Sequence, residues 1–204
     1  MHSAKKERLM PEIEKIMQEN GGIAKASQLY PIGLTYRSIQ GLVADGVLDH
    51  VKSGYYSVNY KDKSEESILL GLFSDCVLTM DTALYYYGYI LQRPLTWSIA
   101  VSKNTSKSRF KMDYPVLHPY YTEPEVLKLG VTRIPFGEGT IQIYEKERLI
   151  CDCLKYEERL ERDTMKRALL SFIAEPEKDI AKLMEYAKER KVVTKVQERI
   201  GVWL

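Results

Sequence analysis

The sequence predicts an α+β fold in two parts. A small domain over residues 1–62 precedes a mixed α/β domain over residues 64–204 whose C-terminal end is helical. Three observations carry this expectation. Residues 23–59 run through a helical turn, a breaker, a second helix and two strand-like pieces joined by a glycine turn. The hydrophobic period then changes to two around residues 96–102. After residue 145 the chain holds a run of apolar positions at helical spacing.

Residues 23–59 are the most informative stretch. A short helical turn over Ala24–Leu29 is broken by Pro31 and Gly33, and a second helix opens at Thr35 and stops at Asp45-Gly46. In that helix Ile39, Leu42 and Val43 form an inward stripe, which leaves Tyr36, Arg37 and Gln40 on the opposite face. Thr35 suits the N-cap and Gly46 the left-handed residue past the end. Val47–Val51 and Tyr55–Asn59 read as strands, turned by Lys52-Ser53-Gly54. Helix, turn, helix and hairpin in that order predict a winged helix-turn-helix, in which the second helix enters the major groove of duplex DNA and flanking elements hold phosphates. The candidate DNA-contacting residues are Lys25, Thr35, Tyr36, Arg37, Ser38, Gln40, Lys52 and Tyr55. Arg37 is the candidate for a guanine contact and Lys52 for a phosphate contact.

Composition bounds the function without deciding it. The net charge is only +2, so no chain-wide basic field announces nucleic acid. Residues 1–63 hold 9 Lys and Arg against 7 Asp and Glu, and residues 64–204 hold 21 against 21. Cys76, Cys151 and Cys153 are odd in number, lie in mainly apolar surroundings and lack zinc-site spacing, so they read as reduced thiols near a core. The N-terminus has no apolar signal core and no stretch approaches a membrane span, so the expected location is the cytoplasm.

Taken in order, Leu9, Ile13, Ile16 and Met17 mark a first helix, which Pro11 either kinks or begins. The polar segment Lys61–Ser64 is the expected domain boundary. Ser64 starts a helix with Ile68, Leu69, Leu72 and Phe73 inward, and Thr79 is expected to cap the next, Met80–Tyr87. Tyr85, Tyr86, Tyr87 and Tyr89 read as a packed tyrosine face with hydroxyls toward solvent. Trp97, Ile99 and Val101 line one face of a strand. The following loop carries Lys103, Lys107, Arg109 and Lys111 without an acid, which suits a solvated loop or a second phosphate contact. Strands are expected at Pro115–His118, Val131–Phe136 and Thr140–Tyr144, and helices at Glu145–Tyr156, Asp163–Ala174, Ile180–Ala187 and Val192–Trp203.

No glycine-rich phosphate loop, zinc-protease motif, nucleophile elbow or kinase signature is present, and His2, His50 and His118 lie far apart. The acids Glu145, Glu147, Asp152, Glu157 and Glu158, with Lys146 and Lys155, have the spacing of a charged helix surface with i,i+4 pairs. The expectation is a protein without catalytic residues, metal ligands or cofactor.

The chain resembles the AbiEi family, antitoxins of type IV abortive-infection toxin–antitoxin systems. The resemblance rests on the order of its segments: GYYSVN at 54–59, VLTMDTALYYYGY at 77–89, TWSIAVSKN at 96–104, IQIYEKERLICDCLKY at 141–156, TMKRALLSFI at 164–173 and DIAKLMEYAKERKV at 179–192. Where relatives carry a histidine before the glycine of the second-domain helix, this chain has Tyr87. The resemblance implies autorepression through promoter inverted repeats, bound cooperatively by several copies. No heptad or long apolar helix supplies a dimer interface, so the chain is expected to be monomeric in solution. It also implies that the second domain counters a co-encoded nucleotidyltransferase-like toxin without forming a stable complex. Two rival readings are a stand-alone ligand-sensing winged-helix repressor, which calls for a pocket with converging polar groups, and an enzyme hidden in the second domain, which calls for clustered carboxylates or a perturbed lysine.

Overall fold

A computed structural model of the chain describes residues 3–201. It is a mixed α+β structure with two sheets, and its residues group into two compact units, 1–74 with 135–140, and 75–134 with 141–204.

In the first unit, α1 (Ser3–Glu19) is followed by β1 (Ile23–Lys25), α2 (Ala26–Leu29) and α3 (Tyr36–Ala44). Next come β2 (Asp49–Lys52), β3 (Tyr55–Ser57) and α4 (Glu65–Phe73). Pro11 lies inside α1, and Leu9, Ile13 and Met17 are buried. They meet Leu29, Leu34, Ile39, Leu42, Leu48 and Tyr56 in one core. The apolar spacing read from the sequence thus marks the inner faces of α1 and α3 correctly. A 3-10 turn (Tyr30–Ile32) separates α2 from α3 and ends at Gly33, whose φ of +83° is the left-handed conformation that glycine adopts without strain.

Two details differ from the sequence reading. Residues 23–25 form a strand, so the helical turn begins at Ala26 and the sheet has three strands in the order β1-β3-β2. A run of three residues is too short to show a period of two, and its partners are residues 55–57, far along the chain. The helix α4, which follows the polar segment 61–64, groups with the first unit and contacts β1. Residues 135–140, the tip of a later hairpin, also belong to this unit.

In the second unit, β4 (Val77–Leu78), α5 (Met80–Tyr86), β5 (Trp97–Ser102), β6 (Leu117–Thr122) and α6 (Pro124–Leu127) precede the hairpin β7 (Val131–Phe136) and β8 (Gly139–Tyr144). The helices α7 (Lys146–Lys155), α8 (Arg162–Ala174), α9 (Ile180–Arg190) and α10 (Val193–Ile200) complete it. The five strands order as β6-β5-β4-β8-β7, with β4–β5 antiparallel and both β4–β8 and β5–β6 parallel. Residues 97–101 of β5 are buried on both faces, not on one, because strands flank it and α5 and α6 contact it. The Trp203 end of the last expected helix lies outside the described residues.

The largest departure is α7. Every residue from Glu147 to Leu154 is buried, as the helix is contacted by α5, α8, α9 and α10. Its charges therefore do not form the solvated surface that their spacing suggested. Asp152 Oδ1 accepts from Nε of Arg148 at 3.3 Å and from Nε of Arg190 at 2.5 Å. Arg148 also donates through Nη1 to the carbonyls of Val126 and Leu129, and lies over the Tyr144 ring at 4.1 Å. The two arginines are fully buried and share one carboxylate. The i,i+4 partner of Asp152 is Arg148, a residue the sequence reading did not single out, and a pair sealed in a core is energetically unlike one on a surface.

Candidate nucleic-acid interface

The first unit brings the sequence-predicted residues into two groups. The first is the α3 face. Thr35 and Ser38 close a reciprocal cap at its start: the Thr35 amide donates to Ser38 Oγ at 2.7 Å, and the Ser38 amide donates to Thr35 Oγ1 at 3.2 Å. These hydroxyls thus hold the helix N-terminus. Beyond the cap, Tyr36 is 64% exposed and Arg37 is exposed. Gln40, one turn after Tyr36 on the same stripe, is half-buried, and its Nε2 donates to the Tyr56 hydroxyl at 3.0 Å. Tyr30, in the turn before α3, is 46% exposed.

The second group is a row across the three-stranded sheet. Lys25 of β1 and Lys52 of β2 both pair with Tyr55 of the central strand β3. Their ammonium groups lie 5.7 and 4.7 Å from the centroid of its ring. A bulge between His50 and Lys52 turns the Lys52 side chain onto that face. Lys52 also sits 4.6 Å from the Phe73 ring of α4. A cation held over aromatic faces keeps its charge at a fixed place. The site therefore offers two ammonium groups about one tyrosine, and separately a helix face with an arginine, a carboxamide and tyrosines. Such groups match phosphate oxygens and base edges respectively.

Sequence reasoning placed Lys52 and Tyr55 together on the hairpin and named Lys25 apart from them; only the β1–β3 pairing shows that all three form one row. It missed Tyr56, whose hydroxyl meets Gln40 although the strand pattern marks the position only as core.

In the second unit the cationic loop is partly committed. Arg109 forms a two-pronged pair with Asp75, one prong through Nη1 at 2.8 Å, which holds the Asp75 carboxyl below its usual range. Lys103, Lys107 and Lys111 are exposed. Of the tyrosines expected to point outward, Tyr87 donates its hydroxyl to the Tyr144 carbonyl at 2.8 Å and Tyr89 donates to Glu175 at 3.1 Å. Thr79 occupies the position before α5, but its side chain caps nothing; the first turn is instead held by Asp81, Thr82 and Ser98. A cleft of about 170 Å³ is lined by Tyr85, Tyr86, Arg93 and Trp97 among others.

All three thiols are free and buried, and no helix among the described residues is long and apolar enough to cross a membrane. No family model matches the chain, and no curated protein matches it either.

Proposed function

We propose that the first unit is a winged helix-turn-helix that binds duplex DNA, with α3 in the major groove and the Lys25–Tyr55–Lys52 row on the phosphate backbone. The observation that carries this reading is the coincidence, in one small unit, of an exposed helix face bearing Tyr36, Arg37 and Gln40 with two lysines converging on a tyrosine of the adjoining hairpin. A solvated helix face would need neither the fixed carboxamide nor the seated ammonium. The resemblance given above extends the proposal: a binding protein rather than an enzyme, repressing its own promoter at inverted repeats, with the second unit opposing a co-encoded nucleotidyltransferase-like toxin.

The test is a set of binding isotherms on duplexes selected by the wild-type protein and on scrambled duplexes. Arg37→Ala is expected to relax discrimination by about 1–3 kcal/mol at one base pair. Lys52→Ala is expected to weaken all duplexes alike and reduce the salt slope by about one unit. Wild-type behaviour of both variants sinks the reading. Co-expression with the neighbouring toxin tests the second half: full-length protein restores growth if it is an antitoxin.

A further inference from the structure

The side chain of Gln40 is not loose on its helix. A carboxamide has two N–H donors and one carbonyl acceptor, all in one plane. One donor is committed to the Tyr56 hydroxyl at 3.0 Å. Tyr56 is itself immobile, 2% exposed in the core of the first unit and paired across the sheet with Ala24 and His50. Its ring also meets that of His50 edge-on, with centroids 5.6 Å apart. Burial raises the phenol above its ordinary range, with Tyr36 adding to the shift and the Gln40 bond opposing it, so the hydroxyl is intact at neutral pH. The carboxamide plane is thereby fixed by a rigid partner. Its second N–H and its Oε1 remain as an adjacent donor and acceptor, on the stripe of α3 that carries the exposed Tyr36.

We propose that Tyr56 is a positioning residue that locks Gln40 for bidentate reading of an adenine in the major groove. This inference rests on the DNA-binding reading above. Adenine presents N7 as acceptor beside N6–H as donor, which matches the remaining N–H and Oε1 of Gln40. Guanine presents two acceptors, and its O6 would face Oε1. The Tyr56 hydroxyl can accept from Nε2 or donate to Oε1, so it fixes the place and plane of the carboxamide rather than forbidding its rotation. A carboxamide already held there has less freedom to lose when it meets a base, and discrimination at this base pair then depends in part on a buried residue that touches no DNA.

The experiment selects binding sites from a randomised duplex pool with full-length wild-type protein, then measures isotherms for each base pair at the position that Gln40→Ala leaves unread. Wild type is expected to require A·T there. Tyr56→Phe, which removes only the hydroxyl, is expected to lose about three- to tenfold of that discrimination while binding scrambled duplex as before and unfolding at a similar temperature. The double variant Tyr56→Phe, Gln40→Ala is expected to be no worse than Gln40→Ala alone. Gln40→Glu, an exchange on a partly exposed helix face, replaces the donor with a second acceptor and is expected to shift the preference from A·T toward a cytosine amino group. Full discrimination retained by Tyr56→Phe, or a Gln40-dependent pair other than A·T, overturns the positioning role. A wild-type protein that enriches no duplex at all overturns the DNA-binding reading itself, and with it this inference.

Discussion

The ammonium of Lys52 lies 4.6 Å from the centre of the Phe73 ring. Phe73 ends α4, beyond the polar segment that the sequence suggests as a boundary, so a lysine of the β2–β3 hairpin is seated by a helix that follows that segment. A cation–π contact of this kind contributes about 0.5–1 kcal/mol at a partly exposed site. Phe73→Leu should therefore weaken duplex binding about two- to fivefold, measured against Lys52→Ala, in which the same substitution should have no further effect.

A truncation series tests the same connection at larger scale. Fragment 1–63 lacks the α4 face that covers β1 and is expected to be unfolded by circular dichroism. Fragment 64–204 keeps α4 but exposes Ile68, Leu69, Leu72 and Phe73, so it should bind an apolar dye and aggregate. A folded 1–63 with full duplex affinity would show that α4 is dispensable.

Asp152 is the only carboxylate bonded to both Arg148 and Arg190 among the described residues. Asp152→Asn leaves two buried guanidinium groups without their shared counter-charge, a change that costs about 3–5 kcal/mol in comparable buried pairs. Urea unfolding should register a loss of that order. A loss below about 1 kcal/mol would mean that the arginines are compensated otherwise.

Much of this fold was legible beforehand because the relevant signal is local. The apolar stripes of α1, α3, α4 and α8, the cap at Thr35 and the hairpin turn at Gly54 all follow from neighbouring residues. What was not legible depends on partners distant in sequence. Nothing near residues 23–25 announces that they pair with residues 55–57, and so the Lys25–Tyr55–Lys52 row was hidden. The burial of Glu147, Arg148 and Asp152 depends on Arg190, 38 positions after Asp152, and on helices that enclose α7 from several sides. The helical stripe of α7 is flanked by charges whether the helix lies on a surface or in a core. At the candidate site, exposed side chains were readable from helix phase, whereas the Gln40–Tyr56 bond required the third dimension.

The alkaline limb of stability follows from buried tyrosines, of which Tyr87 and Tyr120 are two. Burial is the main cause that raises Tyr87 and Tyr120 to about 12, with the nearby Glu145 adding to Tyr87 and Asp81 to Tyr120. Between the ordinary tyrosine value near 10 and about 12 the unfolded chain releases these protons while the folded chain keeps them. Stability is therefore full below the ordinary value and falls as pH rises across that window. Phenolate absorbance should rise together with unfolding, and Tyr87→Phe should flatten the limb. Ionisation of both tyrosines well before unfolding would contradict this account.

Thiol chemistry gives an independent check on the core. Burial pushes the Cys151 thiol up to about 12 and the Cys153 thiol well above its usual value, and the reactive species is the thiolate. Alkylation near pH 8 should leave Cys76, Cys151 and Cys153 unlabelled in native protein and modify all three in urea. Rapid native labelling at Cys151 or Cys153 would show that α7 is not sealed as described.

The parallel pairing of β4 with β8 bears on how the second unit is made. Val77 aligns with Gln142 and Leu78 with Ile143, 65 positions apart in each case. A closure of that length must meet its chain entropy before the contacts it enables can compensate. On a ribosome, β4 waits for most of the following unit to emerge, and α7, which begins directly after β8, cannot be enclosed until α8, α9 and α10 have followed. The order of synthesis thus leaves the β8-facing edge of β4 unpaired until residues 142–143 have emerged, and an unpaired strand edge of that kind is where nascent chains are prone to associate.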